Sequence, residues 1–88
     1  MNVAETYYQT GEIQYRFARY LADDGITWVY HGRFVAFHRN GQLASEGNYI
    51  DGLEEGVWRS YHDDGQLAAE GCYRQGEQTG TWRYWENK

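Results

Sequence analysis

The chain repeats itself at a fixed spacing of 24 residues. The segment GQLASEGNYIDGLEEGVWRSY, residues 41–61, is followed by GQLAAEGCYRQGEQTGTWRYW, residues 65–85. A repeat of this length is one supersecondary unit, which cannot bury its apolar residues alone and must stack on the next copy. Because stacked units build an extended surface rather than a closed pocket, the repeat favours a binding module over an enzyme.

Short pairs ending in glycine predict chain reversals, since glycine, asparagine and aspartate tolerate the positive φ of tight turns. We predict seven: Thr10-Gly11, Asp24-Gly25, His31-Gly32, Asn40-Gly41, Asp51-Gly52, Asp64-Gly65 and Gln75-Gly76. Between these pairs, every second residue points the same way, as in Leu43, Ser45, Gly47 and Tyr49, which is the period of a strand. Residues 15–21 fit a strand or a helix, and we predict a strand. The fold class is therefore all-β.

A degenerate first copy precedes the two clear ones. At an offset of 30 residues, four of its positions match the second copy: Tyr7, Gly11, Ile13 and Trp28 correspond to Phe37, Gly41, Leu43 and Trp58. This alignment places six extra residues after Trp28, in longer strands around His31-Gly32. The 88 residues then form one domain, with a degenerate repeat at about residues 7–36 and repeats at 37–60 and 61–85. An end copy is expected to deviate because one of its sides is uncovered.

Aromatic rings are expected to form the core, since they make up 18% of the chain and bury large apolar areas. Trp58 and Trp82 recur two residues after Gly56 and Gly80. We expect these two glycines to leave room for a neighbouring ring.

The pattern Y-x-x-x-G-x-L-x-x-E-G-x-Y-x-x-G-x-x-x-G-x-W runs over residues 37–58, with Phe37 for the first tyrosine, and over residues 61–82 without exception. It resembles MORN repeats, most closely the bacterial variant often described as antitoxin or immunity-type proteins. The resemblance implies a single elongated antiparallel sheet of consecutive β-hairpins that binds proteins, or sometimes lipids. The family motif contains no catalytic residue, so none carries over to this chain.

The formal charge is -5, and the negative charge is concentrated in residues 40–70, which contain seven acidic residues and a single arginine, Arg59. Such a field repels nucleic acid and anionic membranes and attracts a basic protein. We therefore expect a basic protein partner, with no direct binding to nucleic acid or membrane.

Five acidic residues are candidates for partner binding. Asp51, Glu54 and Glu55 fall in the predicted loop within one repeat, and Asp63 and Asp64 fall at the next reversal. They are expected to form acidic ridges on opposite edges of the sheet, which could dock a basic effector. The alternative is ordinary turn chemistry, because aspartate favours such positions.

Three aromatic residues, Phe37, Tyr61 and Trp85, share one repeat position and are also candidates. By strand alternation they face away from Trp58 and Trp82, so they would form an exposed stripe suited to a protein interface. A β-bulge could instead return both rows to the core.

No residue constellation indicates catalysis, a metal or a cofactor. His38 and His62 occupy equivalent positions and could hold zinc with Asp63, but no third ligand recurs, and exposed histidines at strand ends are the prediction. Cys72 replaces Asn48 of the preceding copy and has no activating histidine in its strand. The single cysteine, together with a beginning that lacks the features of a signal peptide, predicts a cytoplasmic protein.

These observations predict a non-catalytic protein-binding module that neutralises a partner by occlusion, as an immunity or antitoxin protein does with a basic toxin. One alternative is a structural or assembly module that pairs through the edges of its sheet, either with further copies of itself as a homo-oligomer or with a scaffold. Another is a virus-encoded acidic inhibitor of a host defence protein.

Overall fold

The computed structural model describes residues 1–87, which form one seven-stranded antiparallel sheet. The strands are β1 (Asn2–Tyr7), β2 (Ile13–Leu21), β3 (Trp28–Phe37), β4 (Leu43–Ile50), β5 (Leu53–Tyr61), β6 (Leu67–Arg74) and β7 (Glu77–Tyr84). Each strand pairs with the next in chain order. The predicted all-β sheet of consecutive hairpins is confirmed, including the strand over residues 15–21.

Six of the seven predicted reversals are turns between strands. At two of them, both central residues have positive φ: 49° and 86° at Asp51-Gly52, and 51° and 85° at Gln75-Gly76. This is the backbone of the two-residue turn that matches the twist of antiparallel strands. The reversal predicted at His31-Gly32 is wrong. There, Gly32 has φ of 108° inside β3, where the pairing with β2 shifts register, so the pair forms a bulge.

The six extra residues of the first copy lie before β3, not after Trp28 as the sequence alignment predicted. Phe34 pairs with Gly47 as Trp58 pairs with Gly71, so Phe34, and not Trp28, is the counterpart of Trp58. The extra residues extend the β2–β3 hairpin by the pair Leu21 and Trp28 and by a turn over residues 22–27. The equivalent β4–β5 hairpin turns in two residues.

The longer turn has its own stabilising contacts. Asp24 accepts hydrogen bonds from the backbone amides of Ile26 at 2.8 Å and Thr27 at 2.9 Å, and from the Thr27 hydroxyl at 2.7 Å. These bonds lower the pKa of Asp24 to about 2, the Thr27 hydroxyl contributing most. The turn over residues 22–27 is thus held as an ordered loop by one carboxylate.

Two glycines make room for tryptophan, but they are Gly47 and Gly71 rather than Gly56 and Gly80. A Cβ built on either Gly47 or Gly71 would lie 2.1 Å from the indole ring of Trp58 or Trp82 respectively. At Gly56 and Gly80, a Cβ would meet no described atom within 4 Å. Those glycines instead have φ of 80° and 65° where β5 and β7 bulge against their neighbours.

The sheet is a single layer with little enclosed core. Among the described residues, the only buried apolar side chains are Phe17 and Ala36, at 8% and 7% exposure. The accessible surface is 6064 Å², against about 5,400 Å² for a compact monomer of this mass. The molecule therefore leaves both faces of its sheet open to contact.

Candidate protein-binding surface

One face of the sheet carries a continuous row of aromatic rings, called here the aromatic face. Strand alternation places Trp28 and the nine rings of this row on the face: Tyr15, Phe17, Tyr30, Phe34, Tyr49, Trp58, Tyr73, Trp82 and Tyr84. Successive ring centroids lie 4.8 to 6.4 Å apart, within the range of favourable aromatic pairs. The row crosses the sheet from β2 to β7.

Phe17 is buried, the five rings from Phe34 to Trp82 are half-buried, and Tyr15, Tyr30 and Tyr84 are exposed. No second layer of the described chain covers the row. Tyr30 is 39% exposed and Tyr84 is 68% exposed. The indole N–H groups of Trp58 and Trp82 donate at 3.1 Å to the backbone carbonyls of Asn48 and Cys72. Because these donors are satisfied internally, the accessible surface of the two tryptophans is apolar.

One end of the aromatic face forms an open groove of about 580 Å³. It is lined by Phe17, Arg19, Trp28, Val29, Tyr30, Asp51 and Gly52. The guanidinium carbon of Arg19 lies 3.9 Å from the centroid of the Trp28 ring, which is a cation–π contact. The face therefore already holds one cation of the chain against an aromatic ring.

The predicted acidic residues of the β4–β5 hairpin divide by role. Asp51 is exposed at the turn, and its carboxylate accepts a hydrogen bond from the Tyr20 hydroxyl at 2.8 Å, which raises the pKa of Tyr20. Glu54 pairs with Tyr49 across the two strands and so lies on the aromatic face. Burial, with a smaller contribution from Glu54, raises the pKa of Tyr49. Glu55 instead accepts a hydrogen bond from the Gln75 amide at 3.0 Å.

The other two predicted acidic residues lie at the opposite end of the strands. Asp64 accepts a hydrogen bond from the amide of Gln66 at 2.9 Å, as Asn40 does from Gln42 one repeat earlier. The carbonyl of Asp63 accepts a hydrogen bond from the Asn40 side chain at 2.6 Å. The Asp64 carboxylate thus stabilises its turn, whereas Asp63 contributes only its backbone carbonyl. Both residues lie at the opposite end of the strands from Asp51, as the sequence predicted for two separate ridges.

The predicted stripe of Phe37, Tyr61 and Trp85 belongs to the face opposite the aromatic face, as alternation indicated. Tyr61 donates a hydrogen bond to Glu46 at 2.6 Å, and Glu46 also contacts Arg33 at 2.5 Å. These contacts, the Tyr61 hydroxyl first, lower the pKa of Glu46. Phe37 and Tyr61 are half-buried, and only Trp85 is exposed, at 41%. The stripe is therefore less accessible than the sequence predicted.

A set of contacts between repeats was missed by sequence reasoning. The Tyr8 hydroxyl donates to the carbonyl of Phe37 at 2.7 Å, and Nε2 of His38 lies 2.8 Å from the carbonyl of Tyr61. His62 repeats this contact with Trp85 at 2.8 Å. Because a carbonyl only accepts, both histidines must carry the proton on Nε2. The two histidines are half-buried and link successive repeats, so the prediction that they are exposed is wrong. The signal for this contact in the sequence was the recurrence of histidine at the 24-residue period.

Residues 1–87 contain no group of three or more histidine, cysteine, aspartate or glutamate side chains placed to hold a metal ion. Cys72 is an exposed free thiol. No helix long and apolar enough to cross a membrane occurs in the described part of the chain.

Comparison with known proteins identifies the repeat. The family described as MORN repeat variant matches residues 30–51 and 54–75, which together are half of the chain. The two matches begin 24 residues apart, at Tyr30 and Glu54. No curated protein and no solved structure gives a significant match.

Proposed function

The chain belongs to the family of MORN repeat variants, and we propose that it is a non-catalytic module that binds a basic partner protein through its aromatic face. The observation that carries this proposal is the uncovered row of rings from Tyr15 to Tyr84 on a single-layered sheet. Tyrosine and tryptophan contribute most to the binding energy of protein interfaces. Rigid rings also lose little conformational freedom when a partner covers them.

The charge of the partner follows from the residues around that face. Asp51 lines the groove in which Arg19 packs on Trp28. Glu54 lies on the same face, directly opposite Tyr49. Lysine or arginine side chains of a partner would find the same two favourable contacts, an aromatic ring and a carboxylate. The formal charge of -5 also accelerates encounter with a basic protein.

The biological role we propose is neutralisation by occlusion, as an immunity or antitoxin protein acts on a basic toxin. A single-layered sheet can cover an active site without performing any reaction. A virus-encoded inhibitor of a host defence protein would use the same surface, and the genes that neighbour this one in its genome would separate the two roles.

The test is affinity capture of the tagged chain from its native host at low and high salt, followed by titration of the purified captured protein. We expect a basic protein that salt releases, because exposed charge pairs are screened. Its affinity should fall about tenfold with Tyr30→Ala or Glu54→Lys, since one interface anchor or one reversed charge is worth about 1–2 kcal/mol.

A matched control is Val57→Thr on the opposite face, where Val57 is 46% exposed. This variant should bind as the wild type does. The proposal is wrong if the captured protein binds Tyr30→Ala and Glu54→Lys as tightly as it binds the wild type.

A second candidate function, an assembly module that pairs through sheet edges, is favoured by one observation. Within residues 1–87, β1 and β7 each pair on one side only, and unpaired edges invite strand addition. Light scattering over a range of concentrations tests it: growth of the mass with concentration supports assembly, and a constant monomer mass excludes self-assembly.

A further inference from the structure

The outer edge of β7 has the chemistry of an internal position of the array. β7 follows β5 by one 24-residue period, with Trp82 and Arg83 in the places of Trp58 and Arg59. In β5, the edge that faces onward along the sheet pairs with β6. In β7, no strand of the described chain pairs with that edge.

Trp82 lacks an aromatic neighbour that its counterpart has. The ring of Trp58 lies between Tyr49 of β4 at 5.2 Å and Tyr73 of β6 at 5.9 Å. Trp82 has Tyr73 on one side, at 5.1 Å, and its other ring neighbour is Tyr84 of its own strand. The position that a tyrosine of the next strand would fill is open.

Arg83 lacks an acidic neighbour in the same way. Arg59 contacts Glu70 of the following strand at 2.6 Å, in a pair directly opposite across β5 and β6. Among residues 1–87, Arg83 makes no ion pair within 4.0 Å. A strand added beside β7 with the register and the sequence pattern of β6 would place an acidic residue opposite Arg83.

The backbone of β7 can accept such a strand. The amide of Trp85 donates inward to the carbonyl of Ala68 at 2.8 Å. Since amides alternate in direction along a strand, the amide of Tyr84 points outward, away from β6. Tyr84 is 68% exposed, so nothing in the described chain blocks its approach.

Two residues after β7, the sequence departs from the repeat. Glu86 stands 24 residues after His62, where Tyr8, His38 and His62 donate to a carbonyl of the next repeat. Glutamate there replaces the tyrosine and histidine donors of the other copies. At the other end, β1 carries Ala4 and Glu5 in the places of the tryptophan and arginine, so its edge lacks both groups that β7 offers.

We propose that the outer edge of β7 binds one extended segment of a partner protein as an eighth, antiparallel strand. The segment carries an acidic residue opposite Arg83 and a tyrosine three residues later that packs on Trp82, as Glu46 and Tyr49 of β4 and Glu70 and Tyr73 of β6 are spaced. Main-chain hydrogen bonds supply affinity, and these two side chains supply specificity. This site does not depend on the function proposed for the aromatic face.

The probe is a fluorescently labelled peptide with the sequence of residues 41–50, GQLASEGNYI, titrated with the full chain and followed by anisotropy. We expect saturable one-to-one binding. If the peptide shows no saturable binding at chain concentrations up to about 1 mM, the proposal is overturned. A dissociation constant of that size corresponds to a binding free energy of about -4 kcal/mol.

Two variants at Tyr84 separate the backbone contact from the side chain. Tyr84→Pro removes the outward amide, whereas Tyr84→Ser keeps it and restores the residue that Ser60 provides in β5. Proline is tolerated on an edge strand, and circular dichroism confirms that each variant is folded. Tyr84→Ser should bind the peptide and Tyr84→Pro should lose at least tenfold in affinity. Equal affinity for both variants would contradict strand addition.

A charge exchange tests the register. The peptide with Glu46→Lys should bind the wild-type chain about fivefold more weakly, because directly opposite charges on paired strands are worth up to about 1 kcal/mol. The chain with Arg83→Glu should bind that peptide better than it binds the unchanged one. Failure of this exchange would show that the peptide does not lie in the proposed register. If the chain with Tyr30→Ala binds the peptide with unchanged affinity, the site at the β7 edge is separate from the open groove of the aromatic face.

Discussion

The indole of Trp58 occupies the space in which a side chain at Gly47 would lie. A Cβ built on Gly47 would be 2.1 Å from the ring, far inside contact distance. The same relationship recurs one repeat later between Trp82 and Gly71. In the first copy, Phe17 and Phe34 pair at the corresponding positions, so a larger residue replaces the glycine and a smaller ring replaces the tryptophan. The first copy thus uses two phenylalanines where each of the other two copies uses a glycine and a tryptophan.

Gly47→Ala should therefore destabilise the chain by about 1–3 kcal/mol, because the added methyl group must displace the indole. Gly47 is buried and does not have the positive φ that disfavours alanine. The loss would thus be steric. Urea unfolding followed by tryptophan fluorescence measures it. Ser45→Ala in the same strand is the control and should change the free energy of unfolding by much less; similar losses in the two variants would contradict the packing described.

Gly56→Ala should also destabilise the chain, by about 1–2 kcal/mol, but for a different reason. A Cβ at Gly56 meets no described atom within 4 Å, yet its φ is 80°. The cost is backbone strain, so Gly56→Asn should be tolerated better than Gly56→Ala, since asparagine adopts positive φ more readily. The two variants are compared by their urea midpoints. If asparagine proves as unfavourable as alanine, the strain explanation fails.

His38→Phe should reduce the free energy of unfolding by about 1–2 kcal/mol, because the carbonyl of Tyr61 loses its donor. His38→Tyr places at this position the residue that serves as donor at Tyr8. It should therefore keep more stability than His38→Phe, although the two side chains have nearly the same size. Chemical denaturation of both variants checks this order. The reverse order would show that the hydrogen bond from residue 38 to the carbonyl of Tyr61 does not stabilise the chain.

The hydrogen-bonded loop at Asp24 predicts a pH dependence of stability. Its pKa falls from 3.8 in a model peptide to about 2 in the folded chain. Because the folded pKa is the lower one, this contribution is complete above pH 3.8 and is lost as the pH falls towards 2. Asp24→Ala should be less stable than the wild type at pH 6, and the difference should shrink between pH 4 and pH 2. Urea midpoints across this range provide the measurement, and a difference that does not change with pH would refute the assignment.

The sequence was sufficient where structure depends on local backbone preference. The pairs Asp51-Gly52 and Gln75-Gly76 favour positive φ at two successive residues, and both form the predicted tight turns. Alternation then placed Tyr61 and Trp58 on opposite faces, which the contact between Tyr61 and Glu46 supports. The 24-residue period determined that the strands recur as equivalent hairpins. These features require no knowledge of which strands are neighbours.

The tertiary structure decided what depends on the partner across the sheet. His31-Gly32 resembles a turn in sequence but is a bulge inside β3, because β3 pairs with β2 along one edge and with β4 along the other. Phe34 replaces Trp28 as the counterpart of Trp58 for the same reason: equivalence is set by cross-strand pairing with Gly47 and Gly71. The roles of Gly47, His38 and Glu55 also lie in contacts with residues 11 to 23 positions away. Local preference fixes the φ of a residue, but only the register between strands determines which side chain its atoms meet.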